Sequence, residues 1–232
     1  MKLQSFYMKK FALIVAGGSG TRMGSEIPKQ FMEMAGKPVL MHTFEAFMSW
    51  DPEVEILLVL PAQHFDLWKE LCRRYRFDHP HSLVEGGVNR FDSVANGLRM
   101  IEGDGLVFIH DGVRPLVSKA TLQHCCDLAT EKGNAIPAIR VTESVRWTED
   151  NLSKPLDRNK IWLIQTPQTF DIRLIKEAYI QSFREEFTDD ASVLESLGYR
   201  INLTEGNREN IKITWPVDLL WAETLLSIRG NL

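Results

Sequence analysis

The segment Phe11–Phe31 constrains this chain more than any other. An apolar run from Phe11 to Val15 leads directly into the glycine-rich loop Gly17-Gly18-Ser19-Gly20, with Arg22 and Lys29 downstream. Three glycines within four residues let successive backbone N–H groups converge on one anion without a Cβ in the way. Because two cationic side chains follow, the segment predicts a buried strand that ends in a phosphate-binding loop.

Two common phosphate-binding patterns do not fit this loop. The P-loop pattern requires a lysine directly after its last glycine, but Gly24 is followed by Ser25. The dinucleotide pattern has Met23 in place of its third glycine, and the strand predicted at 55–60 is not followed by the required carboxylate. A plain glycine-rich turn between a strand and a helix is the alternative, since such turns are common. Arg22 and Lys29 count against that alternative.

Composition and charge limit the possible partners. With 232 residues, 44% of them hydrophobic, the chain permits one α/β domain or two smaller ones. We expect a single domain over residues 1–232. The formal net charge of -4 and the pI near 5.9 argue against a nucleic-acid partner, which would require a basic surface. No stretch approaches 18 consecutive apolar residues, so no membrane partner is expected.

The cysteines and the first residues favour a cytoplasmic location. Cys72, Cys125 and Cys126 form no C-x-x-C pair, as expected for a reduced chain. The N-terminal sequence MKLQSFYMKK lacks the apolar core and small-residue cleavage site of a signal peptide.

Strands and helices alternate along the chain after the glycine-rich loop. Periodicity predicts strands at 55–60, 82–85, 106–109 and 134–140, and helices at 39–50, 65–75, from the end of the 86–93 loop to about 100, 119–131 and 172–186. This alternation predicts a doubly wound, mostly parallel, Rossmann-like sheet. Ligands of such sheets lie at the carboxyl ends of the strands.

One such end carries the loop GGVNRFDS, residues 86–93. Gly87 and Ser93 are candidates to contact a base or a ribose, and Asp92 is a candidate helix cap.

A second strand end carries His110-Asp111-Gly112-Val113-Arg114. Asp111 is placed to hold a divalent cation on a phosphate, because Mg²⁺ takes one or two protein carboxylates plus substrate oxygens. Arg114 can grip a second anion through two hydrogen bonds. The alternative is an ion pair between Asp111 and Arg114 that stabilises the turn. We interpret His110 as a packed histidine, not a catalyst.

The composition of the sequence changes after residue 140. Residues 141–157 mix polar residues with β-formers such as Trp147, which predicts a two-stranded arm that projects from the body. An isolated hairpin is marginally stable in water, so we expect this arm to pack on a partner subunit. Further on, Thr188-Asp189-Asp190 predicts a helix cap, Lys212 falls in a predicted strand, and Pro216 opens a last helix.

Six motifs in a fixed order resemble the 2-C-methyl-D-erythritol 4-phosphate cytidylyltransferases of the non-mevalonate isoprenoid pathway. They are AGGSGTRMGSEIPKQF, GGVNRFDSV, HDGVRP, LDRNKIWLIQTPQTF, TDDASVLE and GNRENIKIT. The resemblance implies a fold of nucleotidyltransferase type and an Mg²⁺-dependent transfer from CTP to a sugar-alcohol phosphate, with release of pyrophosphate. It also implies a homodimer that exchanges the 141–157 arm, so that Arg158 serves the neighbouring active site.

The resemblance also assigns roles to individual residues. The implied catalytic residues are Arg22, Lys29, Arg158 and Lys212. The implied nucleotide contacts are Ala16, Gly17, Gly18, Gly20, Gly87, Ser93 and Gly112. The implied substrate contacts are Asp111, which is also the metal ligand, Arg114, Ser144, Thr166 and Thr188.

Two other functions are considered. HDGVRP replaces the commoner HDAARP and also occurs in the sister family, the ribitol-5-phosphate cytidylyltransferases, so ribitol 5-phosphate is the alternative acceptor. The segments RFDS, QTPQ and DAS resemble the methylerythritol enzyme instead. A non-catalytic nucleotide-binding module is disfavoured, because such a module has no reason to keep the catalytic cations and Asp111.

Overall fold

The computed structural model describes residues 8–18 and 27–229, which form one central sheet, two small two-stranded sheets and seven α-helices. The strands are β1 (Lys10–Val15), β2 (Glu33–Met34), β3 (Lys37–Pro38), β4 (Glu55–Leu60), β5 (Ser82–Glu85), β6 (Leu106–Asp111), β7 (Asn134–Arg140), β8 (Val145–Glu149), β9 (Leu152–Leu156), β10 (Trp162–Ile164), β11 (Gln168–Asp171) and β12 (Leu203–Glu205). The helices are α1 (Val39–Trp50), α2 (Phe65–Tyr75), α3 (Arg90–Met100), α4 (Lys119–Lys132), α5 (Ile172–Ala178), α6 (Asp190–Glu195) and α7 (Pro216–Arg229).

The central sheet has the order β10-β7-β11-β6-β1-β4-β5, and β12 also pairs with β7. Strands β5, β4, β1 and β6 are parallel, whereas β11 runs antiparallel between β6 and β7. The predicted α/β class with a mostly parallel sheet is confirmed. Val15 is in register with both Val59 and Asp111, so the carboxyl ends of β1, β4 and β6 lie level with one another.

Alternate residues of the central strands face two separate cores. In β1, Leu13 joins the core formed with α3, α5 and α6, while Ala12 and Ile14 join the core formed with α1, α2 and α4. Burial on both faces explains why these strands are continuous apolar runs. Each large side chain buried in this way stabilises the fold by about 1.5–3 kcal/mol. The sheet is therefore a rigid base for the loops at its carboxyl edge.

Most predicted elements are confirmed at their stated bounds, including α1, α2, β4, β5 and β7. The helix predicted at 172–186 is too long, because α5 ends at Ala178. There the Gln181 amide donates to the Ala178 carbonyl, and the Tyr179 hydroxyl donates to buried Asp190, which turns the chain away.

Two further local predictions are wrong. Lys212 lies in an irregular segment, and the nearest strand, β12, ends at Glu205. The cap of α3 is Asn89, whose side chain accepts from the Asp92 N–H, so Asp92 lies in the first turn and does not cap the helix. The cap predicted before α6 is confirmed, since Asp189 and Ser192 form a reciprocal capping box.

Strands β8 and β9 pair with each other and form a sheet separate from the central one. Their residues are almost all exposed, including the apolar Trp147, Leu152 and Leu156. The predicted projecting arm is therefore present. In the described ranges, no helix combines the length and apolarity needed to cross a membrane.

Candidate active site

A cavity of about 320 Å³ opens at the carboxyl edge of the sheet. Eight of the residues predicted for the site line it: Ala16, Gly17, Gly18, Lys29, Gly87, Ser93, Asp111 and Lys212. They come from four separate stretches of the chain. Three of these stretches meet because the strands before them end at the same level, and the irregular segment with Lys212 completes the cavity.

The glycine-rich loop forms one wall. Ala16 is fixed at the end of β1, since its N–H donates to Val59 and its carbonyl accepts from the Gln30 side chain, both within 2.9 Å. Lys29 lies in a short 3-10 turn and is only 9% exposed, with its side chain near Gly18. A cation in such a dry position acts more strongly on a bound anion than one in water. Gly20 and Arg22 lie outside the described residues.

The loop after β5 forms a second wall. The Gly87 N–H donates to Ser93 Oγ at 3.0 Å, and the Ser93 hydroxyl donates to the Asn89 carbonyl at 2.8 Å. A Cβ on Gly87 would lie 2.2 Å from Asp92 Cβ, so only glycine fits there. The serine hydroxyl thus holds the loop together beside the cavity.

Asp111 is the charged centre of the third wall. Lys212 Nζ lies 3.0 Å from its Oδ2, and Arg114 Nε lies 3.3 Å from the same oxygen. Burial alone would raise the pKa of Asp111, but the charges of Lys212, Arg90 and Arg114 lower it well below its usual range. Asp111 is therefore ionised at neutral pH. The Asp111–Arg114 ion pair considered as an alternative is present, in addition to the place of Asp111 in the cavity wall.

Buried groups fix Asp111 from below. Its N–H donates to Thr166 Oγ1 at 3.1 Å, and that hydroxyl lies 3.1 Å from His110 Nδ1. His110 Nε2 is 3.0 Å from the Arg114 carbonyl. Burial lowers the pKa of His110 to about 4, so the ring is neutral, and it can donate to the carbonyl while accepting from Thr166. His110 is a packed histidine, as predicted.

Three predicted residues lie behind the cavity instead of lining it. Gly112 donates its N–H to Val15, and a Cβ there would lie 2.8 Å from Ala16 Cβ, so Gly112 lets β6 pack against the glycine-rich loop. Thr166 is buried under Asp111, and the Arg114 guanidinium donates to the Asn210 carbonyl at 2.7 Å. The nucleotide contact predicted for Gly112 and the substrate contacts predicted for Thr166 and Arg114 stay predictions.

Three other predicted residues lie away from the cavity wall. Ser144 and Arg158 are exposed at the base of the arm, where Arg158 donates to the Thr142 carbonyl at 2.7 Å. Thr188 is exposed and lines a second cavity of about 230 Å³ beside α6. Their roles also stay predictions.

The sequence reasoning missed Arg90 and Asp190. Arg90 lines the main cavity and binds buried Asp190 through two hydrogen bonds of 2.7 and 2.6 Å, while the Tyr179 hydroxyl donates to Asp190 at 2.6 Å. Burial would lower the pKa of Arg90, but the charge of Asp190 and its hydrogen bonds raise it, so the guanidinium stays charged. Both residues lie in the quoted motifs, but no local pattern links positions 100 residues apart.

The donor set restricts how a divalent cation can bind. Within the described residues, no group of three or more His, Cys, Asp or Glu side chains could hold a metal ion. A single ionised carboxylate, Asp111, fits Mg²⁺ that takes most of its ligands from substrate phosphates and water. Lys212 and Arg114 both contact Oδ2, so neither contact uses Oδ1.

Comparison with known proteins gives one consistent family. Residues 11–228 match the family model described as 2-C-methyl-D-erythritol 4-phosphate cytidylyltransferase. A protein of that name from Bacteroides fragilis is 52% identical over 219 residues, which cover 94% of this chain and 100% of the relative. Its namesake from Bacteroides thetaiotaomicron is 49% identical over the same shares.

Solved structures agree with the sequence comparison. The 4-diphosphocytidyl-2C-methyl-D-erythritol synthase of Anaerococcus prevotii superposes with a TM-score of 0.80 at 28% identity, covering 95% of this chain and 99% of that one. The bifunctional IspDF of Campylobacter jejuni gives a TM-score of 0.78 at 28% identity, covering 92% of this chain and 54% of that one.

Proposed function

This chain belongs to the 2-C-methyl-D-erythritol 4-phosphate cytidylyltransferase family, and on that premise we propose that it transfers a cytidylyl group from CTP to 2-C-methyl-D-erythritol 4-phosphate. Pyrophosphate is the second product, and the reaction is a step of non-mevalonate isoprenoid precursor synthesis. The observation that carries the proposal is the meeting of Lys29, Asp111 and Lys212 in one cavity beside Gly17 and Gly18.

The reaction brings two anions together, and the cationic side chains of this cavity can offset their repulsion. A phosphate oxygen of the acceptor attacks the α-phosphorus of CTP, and the α–β bridging oxygen leaves with pyrophosphate. Because two anions must approach each other, catalysis depends on charge neutralisation and in-line positioning. The acceptor phosphate is largely ionised at neutral pH, so no protein base is needed. Neutral, buried His110 is consistent with the absence of such a base.

The chain's own residues divide this task. In this proposal the triphosphate binds beside Gly17 and Gly18, and Lys29, with Arg22, neutralises charge that develops in the transition state. Lys212, whose amine contacts Asp111 at 3.0 Å, binds the acceptor phosphate in this proposal. Asp111 would hold Mg²⁺, which supplies further charge neutralisation on the triphosphate when bound.

The acceptor assay tests the proposal. Purified protein with CTP and Mg²⁺ is given either methylerythritol 4-phosphate or ribitol 5-phosphate, and pyrophosphate release is followed. We expect turnover with methylerythritol phosphate, and loss of that turnover when EDTA replaces Mg²⁺. Turnover with ribitol 5-phosphate alone would identify the sister activity instead. Release with neither acceptor would contradict both enzymatic proposals.

A homodimer through the arm is part of the proposal. The hairpin β8–β9 exposes Trp147 and Leu152 and pairs with no strand of the central sheet. At the sheet edge, β10 exposes Leu163 and Ile164. A two-stranded hairpin is marginal alone, so a second copy that covers these apolar residues would stabilise the arm. The exposed position of Arg158 at the base of the arm is consistent with a role in the neighbouring subunit.

The cytoplasmic location also stays a proposal. Its support is that all three cysteines are free thiols, two of them buried, and that burial raises the pKa of Cys125 to about 12. A thiol of that kind is inert and adds no redox function.

A further inference from the structure

We propose that Asn210 is a positioning residue for this reaction. Its side chain and backbone hold Lys212 and Arg114 around Asp111, although Asn210 itself is fully buried and does not line the cavity. The inference rests on the proposed function, because it concerns residues placed around the acceptor phosphate.

The segment that carries Lys212 has no regular structure to hold it. Residues 206–215 follow β12 and precede α7, and they form no strand or helix. Since no β-ladder fixes this stretch, the place of Lys212 depends on individual hydrogen bonds on either side of it. Asn210 and, further back, Asn207 supply bonds on one side, and on the other the Ile213 N–H donates to the Val113 carbonyl at 2.9 Å.

Asn210 connects three parts of the site. Its Nδ2 donates to the Thr166 carbonyl at 2.8 Å, and its own carbonyl accepts from Arg114 Nη1 at 2.7 Å. The Thr166 hydroxyl in turn accepts the Asp111 N–H at 3.1 Å. Two residues beyond Asn210, Lys212 reaches Asp111 Oδ2 at 3.0 Å. One buried residue thus ties Thr166, Arg114 and the Lys212 segment to the end of β6.

The amide nitrogen of Asn210 is the side-chain atom that makes the connection to Thr166. Among the described residues, Asn210 Oδ1 is buried and has no hydrogen-bond partner, so the protein bonds of the side chain run through Nδ2. Removing the amide leaves the buried Thr166 carbonyl without this donor and frees the segment to shift. A displacement of about 1 Å at a positioned group can cost roughly 100-fold in rate.

Steady-state kinetics of Asn210→Ala test the proposal against a purely structural role. We expect kcat to fall roughly 10- to 100-fold and KM for the acceptor to rise, while KM for CTP changes less than about threefold. The matched control is Asn134→Ala. Asn134 is also buried and donates to a backbone carbonyl, that of Arg200, at 3.0 Å, but it lies at the amino end of β7. The control should lower Tm comparably and leave kcat within about twofold.

A double-mutant cycle tests whether the effect runs through Lys212. In a Lys212→Ala background, the kcat loss caused by Asn210→Ala should shrink by at least about fivefold, because coupled residues are non-additive. A full, additive loss would overturn the proposal. If Asn210→Ala does not fold, the same cycle with the milder Asn210→Ser variant decides the question.

A turnover-independent measurement separates this inference from the proposed function. Lys212 is half exposed, so its acetylation by a small reagent can be followed by mass spectrometry, with exposed Lys69 as the internal standard. Asn210→Ala should raise Lys212 labelling about threefold, the scale of a partly exposed ion pair. Equal labelling in wild type and variant would overturn the positioning role. Absence of wild-type turnover would contradict only the proposed function.

Discussion

The cations of the body and of the arm are held in different ways. Arg114 is largely buried, donates to the Asn210 carbonyl and pairs with Asp111, and Lys212 pairs with the same carboxylate. Arg158 at the base of the arm is exposed and donates to the Thr142 carbonyl, only 16 residues away. Each of these body cations thus has at least one partner from a distant part of the chain, whereas the hydrogen bond of Arg158 to Thr142 is local.

The difference indicates two stages in building the site. The half of the site that contains Lys29 and Asp111 is preorganised within one chain, because its walls rest on a sheet with two cores. The arm has no comparable core, so we expect a partner subunit to be needed to place Arg158.

Lys29→Ala should have the largest effect, because it removes a buried cation from the preorganised half. We expect kcat to fall roughly 1,000-fold while CTP affinity falls much less, since the charge is needed mainly in the transition state. Rapid-quench turnover and equilibrium CTP binding measure the two quantities. If kcat and CTP affinity fell equally, Lys29 would act mainly in ground-state binding, and the proposed transition-state role would be contradicted.

Arg158→Ala should lower kcat roughly 100-fold without lowering the stability of the body. If the arm serves the neighbouring site, co-expression with Lys29→Ala in differently tagged chains should restore activity. Half of the dimers are then mixed and one of their two sites is intact, so about a quarter of wild-type activity should return. No recovery in isolated mixed dimers would mean that Arg158 acts within its own chain.

A smaller effect should appear in the stability of the body at acidic pH. Burial lowers the pKa of His42, His81 and His110, in His110 from 6.5 to about 4. The unfolded chain therefore binds more protons below pH 6.5, so stability present above that pH is lost as the pH falls toward 4. Each histidine contributes at most about 1.4 kcal/mol per pH unit. Residues 141–157 contain no histidine, so this source of instability belongs to the body alone.

His81 gives this pH prediction a specific test. Trp68 Nε1–H donates to His81 Nε2 at 2.9 Å, and a protonated ring could not accept that bond. His81→Gln keeps an acceptor and removes the titration, so denaturant unfolding should show a shallower loss of stability between pH 6.5 and 5. The same substitution at exposed His124 is the control. An unchanged slope in His81→Gln would contradict the assignment.

The sequence predicted the residues of the preorganised half better than the long-range hydrogen bonds and ion pairs that hold them. Hydrophobic periodicity and the position of the strand ends place the glycine-rich loop, Gly87 and Asp111 at the carboxyl edge of the sheet. These predictions succeed because each strand end is defined by a few neighbouring residues. The same rules place Lys212 in a strand, whereas hydrogen bonds to residues far away in the chain hold it in an irregular segment. The Arg90–Asp190 pair was missed for a related reason, since ion pairing between distant positions has no periodicity.

The antiparallel insertion of β11 beside β6 has a consequence for how the protein is made on the ribosome. Residues 10–111 supply the parallel strands β1, β4, β5 and β6 and most of the cavity-lining loops, yet β6 keeps an unpaired edge until residues 168–171 emerge. An open edge of apolar strand invites pairing with other nascent chains. The later third of the polypeptide therefore both closes that edge and delivers Lys212, so a truncated product would lack catalytic competence and solubility together.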